Sequence, residues 1–119
     1  MNEGNKIFFD DYQTWQRGFV HENIDDCTLL YPTLKLNGEA GEIAEKVGKL
    51  WRDRNLTDTR EMGPETRMEI LKEIGDVLWY CSELAFRLGF KLSDVAAANI
   101  EKLESRRERG TLLGSGDNR

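Results

Sequence analysis

The sequence predicts an all-α fold, a four-helix-bundle-like domain whose core is expected to be completed by oligomerisation. Three observations carry this. Apolar residues recur at three- and four-residue spacing through most of the chain. No segment of useful length alternates with the period of two that a half-buried strand requires. Prolines number only two, and the glycines gather mainly near element ends. A length of 119 residues suits one domain with a modest core. Residues 1–110 are read as that domain, and 111–119, rich in small and polar residues, as a flexible C-terminal tail.

The first helix is expected from Phe9 to Val20, with Phe9, Tyr12, Gln16 and Phe19 on neighbouring turns, and a connection follows from His21 to Pro32. The second runs from about Pro32 to Trp51, with Leu36, Ala40, Ile43, Val47 and Leu50 on one face. Arg52 to Gly63 is polar and reads as a loop. Pro64 is a good first-turn residue to open the third helix, which closes before Gly89. Its stripe of Ile70, Ile74, Val77, Cys81, Leu84 and Leu88 has the spacing of a coiled-coil seam and calls for a close helix partner. Ser93 is placed to cap the fourth helix, and Gly110 to end it.

Composition excludes several functions. The net charge is −5 with both signs interspersed, so no basic face marks a binder of nucleic-acid polymers. No apolar run reaches the length of about 18 residues that a membrane span needs. Met1 to Asp10 holds one base and no apolar run of signal-peptide length, so it does not read as a signal peptide and the expected compartment is the cytoplasm. Cys27 and Cys81 lack metal-ligand spacing, and in a reducing compartment they are expected to be free thiols.

The chemistry-bearing residues are acidic. Glu39 and Glu42 on the second helix, and Glu73 and Asp76 on the third, each stand at i, i+3 beside an apolar stripe. Packing of the stripes brings the four acids face to face. Two unit charges about 4 Å apart repel by about 4 kcal/mol at an effective dielectric near 20. Folding tolerates that when some acids protonate or a cation sits between them. All-oxygen ligands select magnesium or manganese over zinc. Gly41 and Gly75 lie inside the two motifs, where each weakens a helix by roughly 1 kcal/mol relative to alanine; close approach of the two backbones would account for them. The bland reading is a solvated helix face, with Glu42–Lys46 and Glu45–Lys49 as i, i+4 pairs. A di-iron bundle is excluded because it needs two Glu-x-x-His pairs and the chain has one histidine, His21.

The fourth helix adds Asn99, Lys102 and Arg106 at i, i+3, i+7. Asn99 interrupts the Val95–Ala96–Ile100–Leu103 face and needs a polar partner, while Lys102 and Arg106 suit phosphate oxygens. Arg107 and Arg109 read as solvated surface. Trp15, Trp51 and Trp79 could each stack on a base, although helix-borne tryptophans more often pack in a core or an interface.

These blocks carry a resemblance. The stretch from Leu29 to Val47 (Leu-Leu-Tyr-Pro-Thr-Leu-Lys-Leu-Asn-Gly-Glu-Ala-Gly-Glu-Ile-Ala-Glu-Lys-Val) resembles the first signature of MazG-like proteins. Lys72-Glu-Ile-Gly-Asp-Val-Leu-Trp-Tyr resembles the second, and Asn99-Ile-Glu-Lys-Leu-Glu-Ser-Arg is similar to the family's Asn-x-x-Lys-Leu-x-x-Arg ending. Tyr12-Gln13 also fits, so the likeness spans residues 12 to 110. It implies the all-α nucleoside triphosphate pyrophosphatase fold and magnesium-dependent hydrolysis of (deoxy)nucleoside triphosphates to monophosphate and pyrophosphate, as nucleotide-pool house-cleaning. Glu39, Glu42, Glu73 and Asp76 would hold the metal, with manganese as a substitute. Glu39 or Glu42 would serve as general base, Lys102 and Arg106 would clamp phosphate, and Asn99 would orient the cluster. A homodimer or homotetramer is the expected assembly.

Two features depart from the family pattern. Gly38 stands where many members carry a glutamate, and the stretch between Glu42 and Glu73 is long, with extra residues around Arg52–Gly63. The alternatives are a dUTPase-like or phosphoribosyl-ATP pyrophosphohydrolase-like enzyme on the same fold, and a non-catalytic helical dimer acting as a binding or regulatory module.

Overall fold

In the computed structural model, residues 6–20, 28–111, 113, 114 and 116 are described. They form α1 (Phe9–Arg17), α2 (Leu30–Arg54), a short 3₁₀ turn (Thr59–Glu61), α3 (Pro64–Arg87) and α4 (Leu92–Glu108), with no strand among them. No helix there is long and apolar enough to cross a membrane. His21, Cys27 and most of the tail after Thr111 lie outside the described residues. Cys81 is a free thiol, and burial pushes its ionisation up.

The element boundaries differ from expectation for local reasons. α1 ends at Arg17, and Gly18, Phe19 and Val20 continue as i→i−3 turns onto the carbonyls of Trp15, Gln16 and Arg17. α2 begins at Leu30, two residues before Pro32, because a proline in the first turn lacks only an N–H that would have no helical partner. At its other end α2 runs past Trp51 to Arg54, where Asn55 takes the left-handed conformation (φ 49°). The Asn55 amide bonds the Trp51 carbonyl, the Leu56 amide bonds that of Leu50, and the Leu56 side chain is buried. The expected loop is therefore partly ordered. Asp58 caps the 3₁₀ turn by accepting from the Arg60 amide, and the Arg67 guanidinium reaches back to the carbonyls of Met62 and Thr59. Gly89 (φ 83°) reverses the chain after α3, with the Phe90 amide on the Ala85 carbonyl. α4 starts at Leu92. Asp94, not Ser93, closes the cap by accepting from the Lys91 amide at 2.9 Å. Ser93 is engaged elsewhere: its amide and hydroxyl donate to Asp10 at 3.0 and 2.8 Å, which holds the Asp10 carboxyl below the usual range.

α2 and α3 pack as a long antiparallel hairpin, and α1 packs on α3 and α4. No Cα of α2 comes within 8 Å of one in α4. Of the face expected for α1, Gln16 is buried while Phe9 and Phe19 are exposed. Gln13 is buried as well, and Trp15 is exposed. Gln13 donates to the Ser82 and Phe90 carbonyls and accepts from the Leu92 amide, tying three elements together. The apolar stripes of the hairpin remain half-open: Val47, Leu71 and Ile74 are exposed, and Trp51 is 64% exposed. The radius of gyration is 17.3 Å, against about 13.5 Å for a compact domain of this length.

Candidate active site

The α2–α3 hairpin aligns the two acidic pairs, and one carboxylate oxygen each from Glu39, Glu73 and Asp76 lies within 4.8 Å of the others. Glu39 and Glu73 are half-buried and Asp76 is exposed. Glu42, one turn beyond Glu39, is exposed and lies outside this trio. Two lysines border it: Lys35 Nζ is 3.4 Å from Glu39 Oε1, and Lys46 Nζ is 3.4 Å from Glu73 Oε1. Lys46 thus bridges across the hairpin to Glu73, in addition to its i, i+4 relation to Glu42. Glu45–Lys49 forms as expected at 2.7 Å. Three acidic oxygens this close, with two exposed-side cations, form a hard-oxygen donor set that suits a divalent cation. The inferred reason for Gly41 and Gly75 is not met within one chain, because a Cβ at either position meets nothing within 4 Å.

The residues on α4 stand apart from the trio. Asn99 and Lys102 line a groove of about 420 Å³ with Phe90, Asp94, Val95 and Ala98, and Asn99 is exposed there. Arg106 is 4% exposed and donates to the Gly116 carbonyl at 3.2 Å. The three tryptophans separate as well. Trp15 stacks between Tyr12 and Phe19 at centroid distances of 5.7 and 4.8 Å, and Trp51 lies exposed at the far end of α2. Trp79 lines a cavity with Tyr80, the residue one turn after Asp76.

That cavity, about 210 Å³, is walled by Phe19, Tyr31, Trp79 and Tyr80, with Glu83 and Arg87 among its lining. Tyr80 follows Asp76 by one turn. Burial pushes its phenol up to about 12, helped by the neighbouring Tyr31 hydroxyl and by the charges of Glu39 and Asp76. Lys35 Nζ lies 5.8 Å from the centre of the Tyr80 ring. Glu83 is 2% exposed, and both of its oxygens are hydrogen-bonded. Its Oε1 accepts from Gln16 Nε2 at 3.1 Å and from Arg17 at 2.5 Å, and its Oε2 accepts from Arg17 at 2.5 Å and Arg87 Nε at 2.9 Å. Burial alone would raise this carboxyl, but the bonds from Arg17, Arg87 and Gln16 outweigh it and hold it below the ordinary range. Arg87 also donates to the Thr28 carbonyl at 2.7 Å, at the entry to α2.

Sequence reading gave no site role to Lys35, Lys46, Tyr31 or Tyr80, and took Lys46 only as a surface partner of Glu42. Three of them carried a spacing signal: Lys35 and Lys46 lie at i−4 and i+7 from Glu39, and Tyr80 at i+4 from Asp76, all on the faces of the acids. Tyr31 carried none, because its place depends on where α2 begins.

The description "MazG nucleotide pyrophosphohydrolase domain" matches residues 29–111. The chain is similar to the Gene 37 protein of Mycobacterium phage L5, with 44% identity over 104 residues covering 84% of this chain and 88% of that protein. It is also similar to the uncharacterized protein YvdC of Bacillus subtilis (strain 168), with 38% identity over 102 residues covering 82% and 94%. No solved structure matches the chain significantly.

Proposed function

Because this chain belongs to the MazG nucleotide pyrophosphohydrolase domain family, we propose that it hydrolyses (deoxy)nucleoside triphosphates to monophosphate and pyrophosphate with magnesium. The observation that supports this most directly is the trio of carboxylate oxygens from Glu39, Glu73 and Asp76 within 4.8 Å of one another. These three would hold the ion, with Glu42 able to join from the next turn and manganese able to substitute. A bound divalent ion supplies neutralisation of the phosphate chain and of the charge that develops on leaving pyrophosphate. The donor set fits it: all oxygens, hard, and few enough to leave room for water and phosphate.

The remaining roles fall to the chain's own groups. Glu42 lies outside the trio and is the better general base of the two glutamates on α2, since a carboxylate committed to a cation is a poor proton acceptor. It would orient a water toward the α-phosphorus. Lys35 and Lys46, held at the rim by Glu39 and Glu73, would meet phosphate oxygens first. Lys102, Arg106 and Asn99 would add a second set of phosphate contacts from α4. Because no Cα of α4 lies within 8 Å of one in α2, those contacts call for movement of α4 or for a second copy. A homodimer or homotetramer is the assembly we infer, from the open apolar stripe of Val47, Leu71 and Ile74. Removal of non-standard or excess triphosphates is the role such an activity suits.

The test is pyrophosphate release from canonical, deoxy and damaged nucleoside triphosphates, with magnesium and with chelator. Magnesium-dependent release from a subset is expected. No release from any of them by folded protein would overturn the reading in favour of a non-catalytic binding module.

A further inference from the structure

The crowded acids of the α2–α3 groove have two cations among them. Lys35 Nζ stands 3.4 Å from Glu39 Oε1, along α2, and Lys46 Nζ stands 3.4 Å from Glu73 Oε1, across the hairpin from α2 to α3. Three carboxylates against two ammonium groups leave one net negative charge. The lysines thus supply most of the neutralisation that acids at this separation demand.

Both lysines are held loosely. A charge-assisted hydrogen bond from ammonium to carboxylate is about 2.7–2.9 Å long, and Glu45–Lys49, on α2 but outside the trio, reaches 2.7 Å. The two pairs at the trio stop at 3.4 Å, and the Lys35 and Lys46 side chains are 42% and 36% exposed. Each ammonium also has a second partner. Lys35 lies 5.8 Å from the centre of the Tyr80 ring, within cation–π range. Lys46 has Glu42 four residues before it on the same helix. Neither lysine would lose much by leaving its acid.

A divalent ion held by the trio reverses the balance. With both lysines still in place the cluster would carry one net positive charge. Ion and ammonium groups would then share the same carboxylates and repel one another. A phosphate chain resolves that conflict, because its oxygens accept from the ammonium groups that the acids give up.

We infer that Lys35 and Lys46 are exchangeable counter-charges of the trio, positioning residues that oppose a lone divalent ion and turn to the phosphate chain when ion and phosphate arrive together. This inference rests on the metal-dependent reading for the identity of the ion. Its signature is a pair of opposite signs: each lysine weakens binding of the ion alone and strengthens binding of the ion with a polyphosphate.

The test measures two affinities in the full chain: Mn²⁺ alone, by the paramagnetic resonance of the free ion, and the manganese–tripolyphosphate complex, by calorimetry in excess Mn²⁺. Wild type is compared with Lys46→Met, Lys35→Met and, as a control outside the trio, Lys49→Met. Lys46→Met is expected to bind Mn²⁺ alone about fivefold more tightly and the complex about tenfold more weakly. Lys35→Met should move both in the same directions by less, since its pair lies within one helix, and Lys49→Met should move neither. A merely structural Lys46 would loosen the hairpin on removal and weaken both ligands together. Mn²⁺ affinity unchanged or weaker in both Lys46→Met and Lys35→Met overturns the inference, and so does undiminished binding of the complex. Equal tightening by Lys49→Met overturns it too, by reducing the effect to net charge. Neither measurement needs turnover, so a lack of pyrophosphate release defeats the hydrolase reading and leaves this test intact. If wild type binds no Mn²⁺, binding by Lys46→Met supports the exchange, and its absence there overturns exchange and metal site together.

Discussion

α3 carries acids at two levels, and the protein treats them in opposite ways. Near its C-terminal end Glu83 is buried, below its ordinary ionisation range, and held by Gln16, Arg17 and Arg87. Two turns earlier Glu73 and Asp76 stand in a partly open groove against Glu39, bordered by lysines at 3.4 Å from Glu73 and Glu39. The first acid has every bond it can make and works as a joint between helices. The second set has like charges crowded together and oxygens still directed at one another. Charge on a helix face is thus structural where donors saturate it and chemical where they do not. Separate substitutions at the two levels should separate stability from activity.

The largest effect belongs to the joint. Glu83→Ala leaves Arg17 and Arg87 facing each other across a buried gap, and is expected to cost about 3–5 kcal/mol of stability in urea unfolding. A loss below about 1 kcal/mol would mean that the network relaxes onto solvent and does not hold α1. Next comes the groove. Asp76→Asn or Glu73→Gln is expected to lower pyrophosphate release about 10²–10³-fold, the scale of losing one preorganised charge partner in a site. Its melting temperature should stay level or rise, since a repulsion has been removed. Melting with and without magnesium sharpens this: the ion should stabilise wild type and not Asp76→Asn.

The two levels also differ in how legible they were in the sequence. The groove could be read, because its residues lie at fixed helical spacing on two long periodic helices, and three of the four expected acids converge in space. The joint could not. Gln16 shares a face with Phe9, Tyr12 and Phe19 in the sequence, Ser82 carries no signal, and Glu83 and Arg87 look like an ordinary i, i+4 pair, until α1 is known to press its polar residues onto α3. That inversion, with Trp15 and Phe19 turned outward, contradicts the rule that the apolar face is buried. The whole-helix pattern was legible for α2 and α3, whereas the 3₁₀ turn and the caps at Asn55 and Asp94 depend on contacts that periodicity does not encode. Asn99, Lys102 and Arg106 share a face by spacing, but spacing on α4 says nothing of its distance from α2.

A smaller effect follows from pH at the joint. The Glu83 carboxyl is lower in the folded protein than in the unfolded chain, where glutamate titrates near about 4.3. The unfolded state therefore binds the proton first as pH falls. The stabilisation from Glu83 is fully present above that value and is lost as pH drops through the lower native one, with a slope of at most about 1.4 kcal/mol per pH unit. Urea midpoints of wild type should fall more steeply between about pH 5 and 3 than those of Glu83→Gln. Parallel curves would assign the acid sensitivity to other carboxylates.

The smallest effect concerns the two glycines inside the acidic motifs. Glycine in mid-helix costs about 1 kcal/mol relative to alanine, and at Gly41 and Gly75 a Cβ would meet nothing within 4 Å in one chain. Gly75→Ala should accordingly stabilise the chain by about that amount in urea. Its activity then tells what the open space is for. Stability gained with pyrophosphate release unchanged would mean that the glycine has no role at the groove. Stability gained with release lost would mean that something absent from the single chain, substrate or a second copy, comes against the backbone there. A loss of stability that deepens with protein concentration would point to the second copy, because only an interface makes stability depend on concentration.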